Sequence, residues 1–188
     1  NPYWRIPHSI ATKEILPLLE RDPDYLERNG IQTLSPIDHA VTKTGRSAID
    51  LDGVRKGKTM LVQSPGRTNP LGRMKFALPN PYSIYLHDTP AGELFDRRSR
   101  DFSHGCIRVE RSIDLATYLL GSHGDWPRSE IERVLDSGEN VKIYLSSGVP
   151  VFLLYWTAWV DDDGRPQFRE DIYQSDAQLN RALLEAGV

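Results

Sequence analysis

The chain has 188 residues, 39% of them hydrophobic and 26% charged, with a net charge of −3 and a single cysteine. That composition suits a globular domain with enough apolar surface to bury a core unaided. It excludes an intrachain disulfide, a cysteine-rich zinc site and the strongly basic face that nucleic-acid binders turn toward phosphates. Basic residues are scattered apart from a short cluster at Arg97, Arg98 and Arg100, and charge runs of that kind are usually a solvated face. The longest nearly unbroken apolar run, Val149 to Val160, is shorter than the ~20 residues a membrane-spanning helix needs, so no transmembrane segment is expected. The chain begins at Asn1 rather than methionine, so the lack of a visible targeting segment leaves location open.

In chain order, Ser9 is placed to cap a helix from Ala11 to Leu19 that Pro17 should kink or split. Asp22-Pro23 reads as the start of a second short helix and Asn29-Gly30 as its end. Residues Asp38 to Lys58 are polar and weakly periodic, and are expected to form a long loop or lid. Three short strands follow, at Met60–Gln63, Arg73–Leu78 and Tyr82–His87, each bounded by Pro, Gly or Asn. Helices are expected at Ser112–Leu120 and Ser129–Asp136, each stopped by a glycine, then a strand at Val141–Leu145. The aromatic run to Val160, the turn Asp161-Asp162-Asp163-Gly164 and a return strand near Phe168–Tyr173 read as a hairpin. The expected class is mainly β (α+β), with a few helices packed on the strands.

Chemistry concentrates in two stretches, Tyr82 to Pro90 and Ser103 to Val109. Side chains alternate along a strand, so Tyr85 and His87 share one face while Ile84 and Leu86 share the other. Gly105 directly precedes Cys106, where a residue without Cβ allows a sharp turn that brings amide N–H groups near a reacting carbonyl. A thiol with a reference pKa near ~8.5 needs a neighbouring base or cation to supply thiolate at neutral pH. His87, nineteen residues upstream, and His104, two upstream, are both candidates. Taken singly, each residue has a plainer reading: Cys106 as a buried inert thiol, His87 as a satisfied strand-end ring, His104 as a surface residue, Tyr85 as packing. Their combination favours chemistry.

That combination resembles the catalytic motif of the L,D-transpeptidases, enzymes that form and remodel cross-links in bacterial peptidoglycan. The resemblance rests on Tyr85-x-His87-Asp88-Thr89-Pro90 followed by Ser103-His104-Gly105-Cys106-Ile107-Arg108-Val109. It extends to Asn1-Pro2-Tyr3-Trp4-Arg5-Ile6-Pro7 and to Pro65 through Phe76, and so covers nearly the whole chain. It implies a single catalytic domain over 1–188 that lacks its first strands, a β-sandwich with packed helices, and a helical substrate-capping insertion over 6–58. Cys106 would be the acylated nucleophile and His87 its general base, oriented by a backbone carbonyl. Tyr85 and the Gly105 and Cys106 amides would line the oxyanion site. His104 would play a supporting part, Ser103 would shape the loop, and Arg108 would order the loop or meet a substrate carboxylate.

The reaction so implied starts from a donor tetrapeptide stem. It releases D-alanine, passes through a Cys106 thioester and ends in a 3-3 cross-link, with no metal or organic cofactor. Partners would be peptidoglycan stem peptides and carbapenem inhibitors, not nucleic acid. The location would be periplasmic, with membrane anchoring conceivable in a longer protein. Competing readings keep the thioester but change the acceptor, giving an L,D-carboxypeptidase or an enzyme that attaches proteins to the wall. Outside enzymes of this kind, a wall-binding module with a degenerate site would require a broken Cys or His, and both are present; a thiol redox sensor needs only one exposed low-pKa cysteine but would not explain Tyr85, His87 and Gly105 arriving together.

Overall fold

A computed structural model of the protein describes residues 1–34, 41–42, 49–121 and 126–187. These residues divide into two compact units, Asn1–Ser146 and Ser147–Val188.

The first unit opens with strand β1 (Trp4–Ile6) and a helical stretch built from α1 (His8–Ile10), a π-helical turn (Ala11–Ile15) and α2 (Leu16–Arg21). In the π turn the Leu16 N–H donates to the Ala11 carbonyl, five residues back. The widening directly precedes Pro17, which has no N–H to give an α-helical ladder and whose ring crowds the preceding turn. The expected kink at Pro17 is thus realised as a change of helical register within one continuous stretch. The cap differs from expectation: Pro7 precedes the first turn, and Ser9 lies inside α1. Helix α3 (Tyr25–Arg28) starts after Asp24 rather than Asp22, and Asp22 instead pairs with Arg28. Asn29 and Gly30 close it as expected, Gly30 with φ of +61°.

Strands β2 (Ile31–Leu34) and β3 (Val41–Thr42) follow, then α4 (Leu51–Arg55) and β4 (Met60–Gln63). The expected loop over 38–58 is therefore interrupted: residues 38–40 and 43–48 lie outside the described residues, but 51–55 are helical. The Asp50 carboxylate caps that helix by accepting the Gly53 N–H at 2.7 Å, and Val54 is buried. Strands β1 to β4 form an antiparallel sheet in the order β1-β4-β2-β3, with Trp4 opposite Gln63 and Ile31 opposite the same residue on the other side. The helical stretch lies against this sheet. Ile6, Ile10, Ile15, Leu16, Leu26 and Leu61 are among the buried side chains of their shared core.

A second sheet contains β5 (Lys75–Phe76), β6 (Leu86–His87) and β7 (Ile107–Arg108) in that order. β5 and β6 are antiparallel, and β6 and β7 are parallel. A 3-10 turn (Gly92–Asp96) lies within the crossover between the parallel pair. The strands expected at Arg73–Leu78 and Tyr82–His87 shrink to two residues each because Asn80 folds the chain between them. Its Oδ1 accepts the Tyr82 and Ile84 N–H groups at 3.0 and 3.1 Å, while its Nδ2 donates to the Leu78 and Ile84 carbonyls. Helices α5 (Ser112–Gly121) and α6 (Arg128–Asp136) match expectation to within a residue, and bury Ala116, Leu120, Ile131 and Leu135 against each other. Val141–Leu145 is not a strand. Among the described residues no strand pairs with it, and Leu145 packs on the α5–α6 cluster instead.

Asn69 ties the two sheets' segments together. It is fully buried, its Nδ2 donates to the carbonyls of Pro2 (3.0 Å) and Ser64 (3.1 Å), and its Oδ1 accepts the Leu71 N–H at 2.9 Å.

The second unit contains a hairpin of β8 (Ala158–Val160) and β9 (Pro166–Phe168) and helix α7 (Asp176–Ala186). The expected hairpin is present, with its return strand earlier than Phe168–Tyr173. Asp161 accounts for the tight turn, accepting the Asp163 and Arg165 N–H groups on one oxygen. The α+β class holds in coarse form, as small sheets with several helices. No described helix is long and apolar enough to cross a membrane.

Asn69→Leu keeps the branching and heavy-atom count of the side chain but strips three backbone groups of their partner. It is expected to lower stability by about 3 kcal/mol, since each buried unsatisfied group costs roughly 1–3 kcal/mol. Urea denaturation followed by circular dichroism checks this, and an unchanged midpoint would deny Asn69 its role.

Candidate active site

The parallel pairing of β6 and β7 sets the site's geometry. The Ile107 N–H donates to the Tyr85 carbonyl at 3.1 Å and the Val109 N–H to the His87 carbonyl at 2.8 Å, with His87 opposite Arg108. On the other edge of β6, Lys75 lies opposite His87. Paired residues point to the same side of a sheet and alternate residues share it. Lys75, His87 and Arg108 therefore form one row on this face, with Tyr85 and Cys106 one step along each parallel strand.

Contacts between the side chains agree with this arrangement. The Tyr85 and His87 rings meet edge-on with centroids 5.9 Å apart, and the Lys75 Nζ sits 3.7 Å from the Tyr85 ring centroid. The Tyr85 hydroxyl is held well above the usual phenol range, first by burial and then by the charge of, and a hydrogen bond with, Cys106; a hydrogen bond from Trp4 opposes this. At any working pH it is therefore a neutral O–H donor beside the thiol.

His87 is buried, and its Nδ1 lies 2.5 Å from the carbonyl oxygen of Asp88. A carbonyl only accepts, so Nδ1 carries the proton and Nε2 keeps its lone pair. Burial lowers the imidazole pKa, and Arg108 and Lys75 lower it further, against the Asp88 carbonyl and carboxylate. The ring is thus a neutral acceptor at neutral pH. Asp88 in turn is held at both oxygens. Oδ2 accepts the Arg73 N–H and Oδ1 accepts the Ser112 hydroxyl, each at 2.9 Å. Gly72 makes this approach possible: φ is +59°, and a Cβ there would lie 2.4 Å from Asp88 Oδ2.

Cys106 is half-buried and free, with Sγ 3.9 Å from the Ser83 carbonyl. Ser83 has φ of +56°, a left-handed conformation that costs a non-glycine residue roughly 1–2 kcal/mol. The Asn80 clamp just described holds the chain on both sides of it. Gly105 has φ of +122°, which only glycine adopts readily, yet its missing Cβ would meet nothing closer than Ile84 at 3.9 Å. The requirement there is conformational, not spatial. The Gly105 N–H donates to Ser103 Oγ at 3.2 Å, whereas the Cys106 N–H has no backbone or side-chain acceptor among the described residues.

His104 turns away from this face. Its Nε2 lies 2.9 Å from Oε1 of Glu14, in the π turn, and both side chains are exposed. Arg108 is half-buried, and its Nε is buried without a hydrogen-bond partner among the described residues. Tyr85, His87, Cys106 and Arg108 are thus brought together, Ser103 and Gly105 shape the turn beside them, and His104 stands outside. Lys75, Trp4, Asn80 and Asp88 had not been singled out from the sequence as site residues. The Asn-Pro pair at 80–81 was a turn signal that could have found the third of them.

A cleft of about 340 Å³ opens beside Asp88, lined by residues that include Arg73, Arg111, Ser112 and Arg128. Those three arginines are engaged by Asp136, Asp114 and Glu132, and Cys106 is not in the lining. Among the described residues no group of His, Cys, Asp and Glu is gathered to hold a metal ion.

Residues 1–148 match the family model described as YkuD, L,D-transpeptidase catalytic domain. The chain is also 35% identical, over 182 residues, to a Haemophilus influenzae protein provisionally named an L,D-transpeptidase. That alignment takes in 97% of the chain and 36% of the relative, so the chain spans about a third of that protein's length. By the family match over most of its length, with the motif residues gathered on one sheet face, the chain belongs to the L,D-transpeptidase catalytic-domain family.

Proposed function

We propose that the protein is a cysteine-dependent acyltransferase acting on peptidoglycan stem peptides. The carrying observation is the register that puts Cys106, Tyr85 and His87 on one face with the His87 Nδ1 proton committed to a carbonyl. Cys106 gives its proton to His87 Nε2 and its sulfur attacks the carbonyl of the third stem residue. The Tyr85 hydroxyl and the Cys106 N–H stabilise the oxyanion, and the Gly105 N–H joins them by exchanging its Ser103 partner. Collapse breaks the amide bond, the imidazolium protonates the departing amine of D-alanine, and a thioester remains. An amine from a neighbouring stem then attacks the thioester, passes its proton to His87 and expels the thiolate, leaving a 3-3 cross-link.

Arg108, beside His87 with an unpartnered Nε, is proposed to order the loop or meet a substrate carboxylate. The reading carries with it a periplasmic location, a β-sandwich framework for one catalytic domain, and carbapenems as acylating inhibitors. A substrate-capping role for residues 6–58 is supported by the Glu14–His104 contact, where that segment reaches the loop bearing Cys106. A second reading, hydrolysis by water, is favoured by the exposure of Phe102 to Gly105 beside the thiol.

Incubation with disaccharide-tetrapeptide and mass spectrometry of the products separate these readings. Transpeptidation gives a dimer lacking one D-alanine, and carboxypeptidase action gives tripeptide alone. Cys106→Ala is expected to abolish both, and retained turnover would remove Cys106 as nucleophile. His87→Ala is expected to slow carbapenem acylation at least ~100-fold; an unchanged rate would end its role as base.

Because burial and two cations lower the His87 pKa, the base is neutral above its folded-state pKa and is lost as pH falls through it. The acid limb of acylation against pH is accordingly expected below the ordinary imidazole value of ~6.5. A midpoint above that value contradicts the electrostatics described here.

Tyr85→Phe removes one oxyanion donor while keeping the ring contacts. A fall of about 10²-fold in kcat with little change in KM is expected. A change confined to KM would make Tyr85 a substrate contact only.

A further inference from the structure

We propose that Lys75 is a charge-stabilising residue of the site, resting on the face of Tyr85 and directing its ammonium at the Cys106 thiolate. The inference rests on the reading of Cys106 as the nucleophile. It stands first on register: β5 pairs with β6 so that Lys75 lies opposite His87, on the side where Tyr85 and Cys106 also lie. It stands second on the contact of Nζ with the Tyr85 ring at 3.7 Å, which holds a flexible side chain over a ring whose hydroxyl hydrogen-bonds with Cys106. No hydrogen-bonded or ion-paired carboxylate takes up the Lys75 ammonium among the described residues, whereas Lys56 nearby in sequence is paired with Asp52. Burial and Arg5 push the Lys75 pKa down and Cys106 pushes it up, which is the electrostatic counterpart of the same proximity.

One positive charge in this position acts on both reacting partners. It favours negative charge on the Cys106 sulfur, as a neighbouring cation does for any thiol. It also disfavours the imidazolium, so the cation formed on His87 is a stronger acid toward the leaving amine. No oxidant or co-reactant is involved, because the proton moves only from Sγ to His87 Nε2 and on to the amine. Lys75 is exposed as a residue while its ammonium end is half-covered, so solvent screening limits the size of the effect but not its sign.

The test uses the fact that Cys106 is the single cysteine, so thiol alkylation reports on it alone. Iodoacetamide reactivity against pH is measured for the wild-type chain, Lys75→Met, Lys75→Gln and Lys75→Arg, with circular dichroism as the folding control. The Met and Gln variants are expected to shift the midpoint to higher pH and to lose between a few-fold and about tenfold of the rate at neutral pH, as a shift of up to one pKa unit gives. Lys75→Arg should restore most of it. An unmoved midpoint in folded Met and Gln variants overturns the proposal.

Should those variants fail to fold, the coupling is read from the other partner, since it must be reciprocal. The Lys75 titration followed by NMR is expected to move to lower pH in Cys106→Ser, and identical titrations overturn the proposal equally. Either failure leaves the nucleophile assignment intact, because that assignment is judged by turnover of Cys106→Ala.

Discussion

The gathering of Tyr85, His87 and Cys106 on one face hangs on two backbone hydrogen bonds, from Ile107 to the Tyr85 carbonyl and from Val109 to the His87 carbonyl. Side chains on paired strands share a face only while register holds, and a slip of one residue would send Cys106 to the opposite side from His87. The pair is short, so its register must be secured from outside. Asp88 does this at the end of β6 by gripping the Arg73 amide and the Ser112 hydroxyl, which ties the entrance of β5 and the start of α5 to the same residue. Asn80 does it at the other end by closing the loop that precedes Tyr85. A ladder of a few bonds thereby gains the rigidity of a larger sheet.

The electrostatics of the site follow from the same row of residues. A histidine flanked by Lys75 and Arg108 and buried on its own strand has every reason to remain uncharged, while its Nδ1 proton has one acceptor to satisfy. The ring is left with a single free lone pair, on Nε2. The Tyr85 hydroxyl beside it is likewise kept from ionising, first by burial and then by the neighbouring thiol.

How far the sequence revealed this depended on the range of the interactions involved. Helices α5 and α6 and the hairpin turn at Asp161–Gly164 were readable because caps, glycines and turn carboxylates act within a few residues. The Tyr85–His87 face was readable from alternation alone. What could not be read was whatever depends on pairing across the chain. Lys75 gains its position from register with His87, Trp4 reaches Tyr85 from the first strand, and Val141–Leu145 fails as a strand for want of a neighbour. The π turn before Pro17 shows the opposite limit. The proline was legible, but the helix answered it by widening rather than breaking.

The crossover from Asp88 to Cys106 joins two parallel strands, and such a connection must travel over the sheet and back. Both of its ends are pinned by the ladder, and most of its middle, from Glu93 to Gly105, lies at the surface with only a 3-10 turn of regular structure. The number of residues between the histidine and the cysteine is consequently a property of the tether and not of the chemistry. Lengthening a tether adds only logarithmically to the entropy of closing it. Insertions near Arg97 should leave the distance between imidazole and thiol where it is, so this stretch offers evolution, or an engineer, a place to write new surface beside an unaltered candidate site.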